Sequence, residues 1–166
     1  MIARMLNWLF EERLRGALLT ETQPWQVSTA APPSRILSSL SILAADAPRY
    51  VYFEGSFDRT LANWLATHAV SEPLRVAPST IWPRPDCYHV PLRADWLEEA
   101  AAAVRAAGDE PPVTHLHIHD GHQLLLEWPD AFGNDPFYVS RAVPEPVLQR
   151  LVEAVTGTLS LVPAAS

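Results

Sequence analysis

An Asp-Gly pair, Asp120-Gly121, stands between two strand-like runs and constrains the fold more than any other stretch of the chain. Asp-Gly suits the two positive-φ positions of a two-residue type I′ turn, whose twist matches that of paired strands. The pattern predicts a β-hairpin in which residues 113–119 pair with residues 122–128. In that register His119 faces His122, His117 faces Leu124 and His115 faces Leu126, all on one side of the ribbon. Thr114, Leu116, Ile118, Gln123, Leu125 and Glu127 take the other side.

This hairpin carries the most distinctive chemistry of the sequence, because four of the six histidines fall within residues 115–122. The register makes His117, His119 and His122 a triangle, with direct pairs about 5 Å apart and diagonal ones about 7–8 Å. Three imidazoles at that spacing suit zinc with one position open for water, and Glu127 or Asp130 would then serve as the base of a metal-dependent hydrolase. Against this, no histidine-rich metal motif of known spacing is matched. The facing residues Leu124 and Leu126 also imply that other structure covers this side. A second reading is a structural or solvent-facing role, and a third is a pH-responsive or interface role, since nearby carboxylates favour protonated imidazole.

Charge is unevenly spread. From residue 94 to residue 135 there are nine acids and one base, Arg105, whereas the remainder holds ten acids and eleven arginines. The acidic span disfavours nucleic-acid binding, because phosphate contacts need positive charge, and it points to a basic protein as partner. All twelve basic residues are arginine. A Schiff-base lysine, a phosphate-loop lysine and a lysine general base are therefore excluded. The six glycines are scattered and leave no nucleotide-cradling loop. Cys87 is the one cysteine, so no intrachain disulfide forms; with no membrane-length apolar run, the expectation is a cytoplasmic protein that makes no membrane contact. Glu11, Glu12, Arg13 and Arg15 interrupt the first apolar segment, which excludes a secretory signal there.

Along the chain, residues 1–20 read as an amphipathic helix, with a stripe over residues 2–18 suited to self-association. Residues 21–33 read as a proline-containing linker, residues 34–160 as an α+β domain, and residues 161–166 as a frayed tail. Within the domain, Ser34 is placed to cap a helix carrying Ile36, Leu37, Leu40 and Leu43. Residues 50–54 are strand-like, and Asp58 can cap a helix with Leu61, Trp64, Leu65 and His68 on one stripe. Residues 74–77 and 87–92 are further strand candidates, the second with a proline that suits a sheet edge. Asp95 and Glu98 have capping-box spacing before a helix that Gly108 ends. After the hairpin come a strand at residues 137–140 and a last helix, with Pro144 in its first turn and Gly157 at its end.

The expected fold is a single α+β domain. Its sheet is mixed, largely antiparallel and of about five or six strands, with helices packed on it and the N-terminal amphipathic helix added. Cys87 and His89, at i and i+2 on one strand, are poorly placed for a nucleophilic dyad. Glu127, Asp130 and Asp135 are candidate paired carboxylates for acid–base work, although their loop also has ordinary turn composition. The functional expectation is a non-enzymatic acidic protein-binding module, an inhibitor or adaptor, with no cofactor. Its binding face would be the hairpin and the loop after it, with Glu127, Trp128, Asp130, Phe132, Asp135 and Phe137 in contact with the partner.

Overall fold

The computed structural model describes residues 17, 19, 23–80, 85–108, 113–131 and 135–162. Apart from Ala17 and Leu19, the helix expected over residues 1–20 lies outside these residues, as do its self-association stripe and Phe132. Among these residues there are seven strands: β1 Trp25–Ser28, β2 Tyr50–Gly55, β3 Asp86–Pro91, β4 Val113–His119, β5 Leu124–Pro129, β6 Phe137–Val139 and β7 Thr158–Leu161. They form one sheet in the order β3-β2-β4-β5-β6-β1-β7, and every neighbouring pair is antiparallel. Four helices join them: α1 Pro33–Ser39, α2 Arg59–His68, α3 Ala94–Ala106 and α4 Glu145–Ala154, with a 3-10 turn at Leu40–Leu43. The protein is thus α+β, with a sheet larger than expected and without parallel neighbours. No helix among the described residues is long and apolar enough to cross a membrane.

One arrangement occurs twice. Strand β3 runs through α3 to β4, and β2 lies between those two strands; β6 runs through α4 to β7, and β1 lies between them. The parallel strands of each helix crossover are therefore separated by an antiparallel one supplied from earlier in the chain. Alternation along the strands turns Val27, Val51, Phe53, Val90, Leu116, Ile118, Leu126, Trp128, Phe137 and Val139 to one face of the sheet. There they join Leu37, Leu65, Leu97, Ala101, Val104, Leu148, Leu151 and Val155 of the helices in one buried cluster. Burial of each such side chain contributes about 1.5–3 kcal/mol, so this face is the core.

Local signals account for most of the helix ends. Asp58 caps α2 by accepting the Leu61 N–H at 2.8 Å. Helix α3 buries Leu97, Ala100, Ala101 and Val104, a stripe at i, i+3, i+4 and i+7, and Gly108 follows it at φ +84°. Two expected caps differ. Asp95 lies inside the first turn of α3 and pairs with Arg93 at 2.8 and 3.1 Å instead of capping. Ser34 is buried within α1, which begins with Pro33 at its first position.

Three other expectations are corrected. Part of the segment read as a linker forms β1, whose Val27 is fully buried between Phe137 and Leu159. Residues 74–77 make no strand, because Val76 forms a single bridge with Ala17. The chain does not fray at residue 161; Leu161 completes β7, a strand the sequence reading lacked.

Candidate functional site

The hairpin exists, but its register differs from the expected one, and this changes the site. Its loop spans four residues, 120–123, with His119 opposite Leu124. Gly121 has φ +89°, whereas Asp120 does not take the positive φ that a type I′ turn requires of both central residues. The Asp120 carboxylate instead accepts the N–H groups of His122 and Gln123 at 2.9 and 3.0 Å, and its own N–H donates to the Gln123 carbonyl at 3.3 Å. This side-chain-closed turn is followed by a bulge, so Ile118 pairs with Leu126, His117 with Glu127 and His115 with Pro129. Leu125 is the extra residue and joins the core, and its carbonyl accepts the Ser140 N–H at 2.9 Å.

The zinc triangle is not assembled. His122 is exposed in the loop, outside the ladder, while His117 and His119 alternate along β4 and are fully buried. Among the described residues no three His, Cys, Asp or Glu side chains converge to hold a metal ion.

Alternation places a polar tract on the sheet face opposite the core. It consists of Tyr50, Tyr52 and Glu54 on β2, Cys87 and His89 on β3, His115, His117 and His119 on β4, and Glu127 on β5. Tyr52, Glu54, His89, His115, His117 and His119 are all buried. Part of the cover is a small apolar cluster in which Tyr52 and Leu124 meet Val76, with Leu74, Ala17 and Leu19 packed against it.

Backbone donors assign the proton positions in this tract. Gly121 N–H points at His119 Nδ1 (3.2 Å), so the His119 proton lies on Nε2. That Nε2 is 3.0 Å from His89 Nδ1 and donates to it, which leaves the His89 proton on its own Nε2. The two rings reach across β2, where His119 stacks on Tyr50 at 5.3 Å and His89 packs on Tyr52 at 4.9 Å. Likewise Asp130 N–H faces His115 Nδ1 at 3.2 Å. Burial drives His117 down to about 3, helped by repulsion from His115 and His119. It drives His119 down to about 4, with His89 adding to the shift and Asp120 opposing it. His89 is lowered as well, again by burial, partly offset by Glu72. His89, His117 and His119 are therefore held toward their neutral forms. Neither ring nitrogen of His117 has a hydrogen-bond partner among the described residues.

Glu54 is the buried carboxylate of this face. It accepts N–H groups from Ser79 at 3.1 Å and Thr80 at 2.5 Å, and its Oε2 lies 3.2 Å from the Tyr52 hydroxyl. Tyr52 Oη is also 3.1 Å from Cys87 Sγ. Burial raises the Tyr52 phenol above its ordinary value, and the Cys87 and Glu54 contacts add to the shift. Cys87 thus meets a neutral phenol backed by a carboxylate. His89 Nδ1 is occupied by His119, so it does not serve as a base for the thiol. Tyr52 and Glu54 were not singled out as a site from the sequence, and His89 was weighed only as a partner of Cys87. Their signal was the alternation of residues 50–54, which sets Tyr50, Tyr52 and Glu54 on the face opposite Val51 and Phe53.

The expected partner-binding residues are dispersed. Trp128 and Phe137 are buried in the core with ring centroids 5.9 Å apart, so neither reaches a partner. Glu127 is half-buried between His117 and Tyr138 in the ladder. Asp130 and Asp135 are exposed, and the topology sets a third exposed aspartate, Asp86, at the same rim. Gly55 ends β2 opposite Asp86, which begins β3, while Asp130 follows β5 and Asp135 precedes β6. All three exposed aspartates flank strand ends at one rim of the sheet. At the opposite rim, about 20 Å away over six residues, Arg49 precedes β2, Arg93 follows β3 and Arg141 follows β6, with Asp120 and the Arg93-paired Asp95 as acids among them. Among the described residues within two positions of a strand end, the first rim carries no base.

No protein-family model, curated protein or solved structure matches the chain.

Proposed function

We propose that the protein is a non-enzymatic binding module that engages a basic protein through the acidic rim formed by Asp86, Asp130 and Asp135. The observation that carries this reading is the separation of charge along the strands, with three exposed aspartates at one rim and three arginines at the other. Such a dipolar surface orients a cationic partner during approach and accelerates association in a salt-dependent way. Trp128 and Phe137, expected at the contact, belong to the core, so the binding energy of this rim is mainly electrostatic.

An oligoarginine peptide serves as the probe, with binding followed by titration at low and physiological salt. Replacing Asp86, Asp130 and Asp135 together by Asn should weaken binding about tenfold at low salt, and added salt should abolish the difference. A control triple variant, Glu98→Gln, Glu145→Gln and Glu153→Gln, removes the same charge from exposed helix positions. It should leave binding within about twofold of the parent. Equal losses in the two triple variants would show a response to net charge alone and would refute a localised face.

A further inference from the structure

We infer that β7 is a self-pairing edge, through which two copies of the chain join their sheets about a two-fold axis at Ser160. Strand β7 ends the sheet, hydrogen-bonded to β1 on one side. Antiparallel ladders use alternate residues on each side of a strand. Val162 N–H donates to the Pro24 carbonyl at 3.2 Å, so Thr158 and Ser160, of the same parity, also face β1. The N–H and C=O groups of Leu159 and Leu161 consequently point away from the sheet.

The free edge has defined ends. Gly157 N–H is already taken by the Val152 carbonyl at 2.8 Å, and Pro163 has no N–H whatever its conformation. The outward donors of this edge are thus those of Leu159 and Leu161. A two-fold axis at Ser160 sets Leu159 opposite the partner's Leu161 and Leu161 opposite the partner's Leu159. Each pair exchanges two backbone hydrogen bonds, which satisfies both leucines in both copies. A shift of two residues leaves a leucine facing Gly157 or Pro163 and loses donors, so the register selects itself.

Side chains favour the same contact. Leu159 and Leu161 lie on the helix-covered face, in register with Val27 and Trp25. Leu161 is 45% exposed, one of two large apolar side chains left that open among the described residues. Pairing brings it against the partner's Leu159. The chain carries a net charge of −7, yet Thr158-Leu-Ser-Leu161 has no charged residue, so two copies approach here with little repulsion. The opposite edge, β3, is protected: Val70 N–H donates to the His89 carbonyl at 2.8 Å, and Asp86 and Pro91 occupy its two ends. Among the described residues no such bridge or charge is present on β7.

Sedimentation equilibrium of the full chain from micromolar to millimolar concentration tests the inference. The mass should rise from 18.4 kDa toward twice that value. In the proposed register Ser160, which is exposed, faces the partner's Ser160 at the closer, non-hydrogen-bonded spacing. Ser160→Lys and Ser160→Glu should therefore each weaken the dimer about fivefold, and mixing the two should tighten it about tenfold over either alone. A wild-type chain that remains at 18.4 kDa at millimolar concentration overturns the inference. So does a dimer unaffected by either substitution, which would place the contact elsewhere, such as residues 2–18. A mixture no tighter than its components also overturns it, while restored pairing shows that both variants are folded.

Discussion

Acid should destabilise this protein before its carboxylates titrate, because the buried His117 and His119 are held neutral. His117 and His119 titrate near 6.5 when unfolded, and about 3 and about 4 when folded. Between these limits the unfolded chain binds more protons than the folded one. Stability is therefore full above pH 6.5 and falls as pH drops, by about 1.4 kcal/mol per pH unit for each ring. At pH 5 the loss is about 2 kcal/mol for each, or about 4 kcal/mol for the pair, a large share of a typical domain stability of about 5–15 kcal/mol. The structural reason is visible at His119. Protonating its Nδ1 would set the new N–H against the Gly121 N–H that now points at that nitrogen. Urea unfolding at pH 7, 6, 5.5 and 5 measures the slope in a window above the ordinary carboxylate range. His117→Leu isolates one proton. It removes a ring with no hydrogen-bond partner at either nitrogen among the described residues, so it should stabilise the protein by about 1 kcal/mol at pH 7 and lower the pH slope by one proton. A flat stability between pH 7 and pH 5 would refute the reasoning, as would a slope unchanged by His117→Leu.

Two further outcomes follow from the same face and from the core behind it. Glu54→Gln leaves one of the N–H groups of Ser79 and Thr80 facing an amide that no longer accepts at both ends; it should cost about 2 kcal/mol and speed hydrogen exchange at those two amides. Trp128→Ala should lower stability by about 3–5 kcal/mol, read from the urea midpoint, because the ring is a core residue rather than a partner contact.

Elements whose interactions are local were legible in the sequence. The Asp58 cap, the stripe of α3 and the Gly108 stop each depend on contacts within a few residues, and each occurs where the spacing indicated. The aromatic and β-branched run of β2 was equally clear. Strands β1 and β7 were not, because each is four residues long and finds its pairing partners more than a hundred residues away, between Trp25 and Val139 or Leu161. Local composition around Trp25 says linker; the ladder across the sheet overrides it. Trp128 and Phe137 illustrate a second limit. An aromatic beside an acid has the composition of a contact surface, and alternation alone does not say which face of a strand the helices will cover.

The sequence by itself determined an α+β protein with a hairpin at Asp120-Gly121, because turn chemistry and hydrophobic period act over a few residues. It also determined which chemistries are excluded, since a chain without lysine has no lysine chemistry to use. Only the tertiary structure decided what the histidines are. The Asp120 side chain closes the loop in a way that shifts the register, which removes His122 from the ladder and sets His117 opposite Glu127. Packing across β2 then joins His119 to His89, thirty residues away in the chain. Of the histidine-rich stretch that reads as a metal motif, His117 and His119 become buried neutral rings, because burial and cross-strand neighbours set their protonation, and neither is a property of the stretch alone.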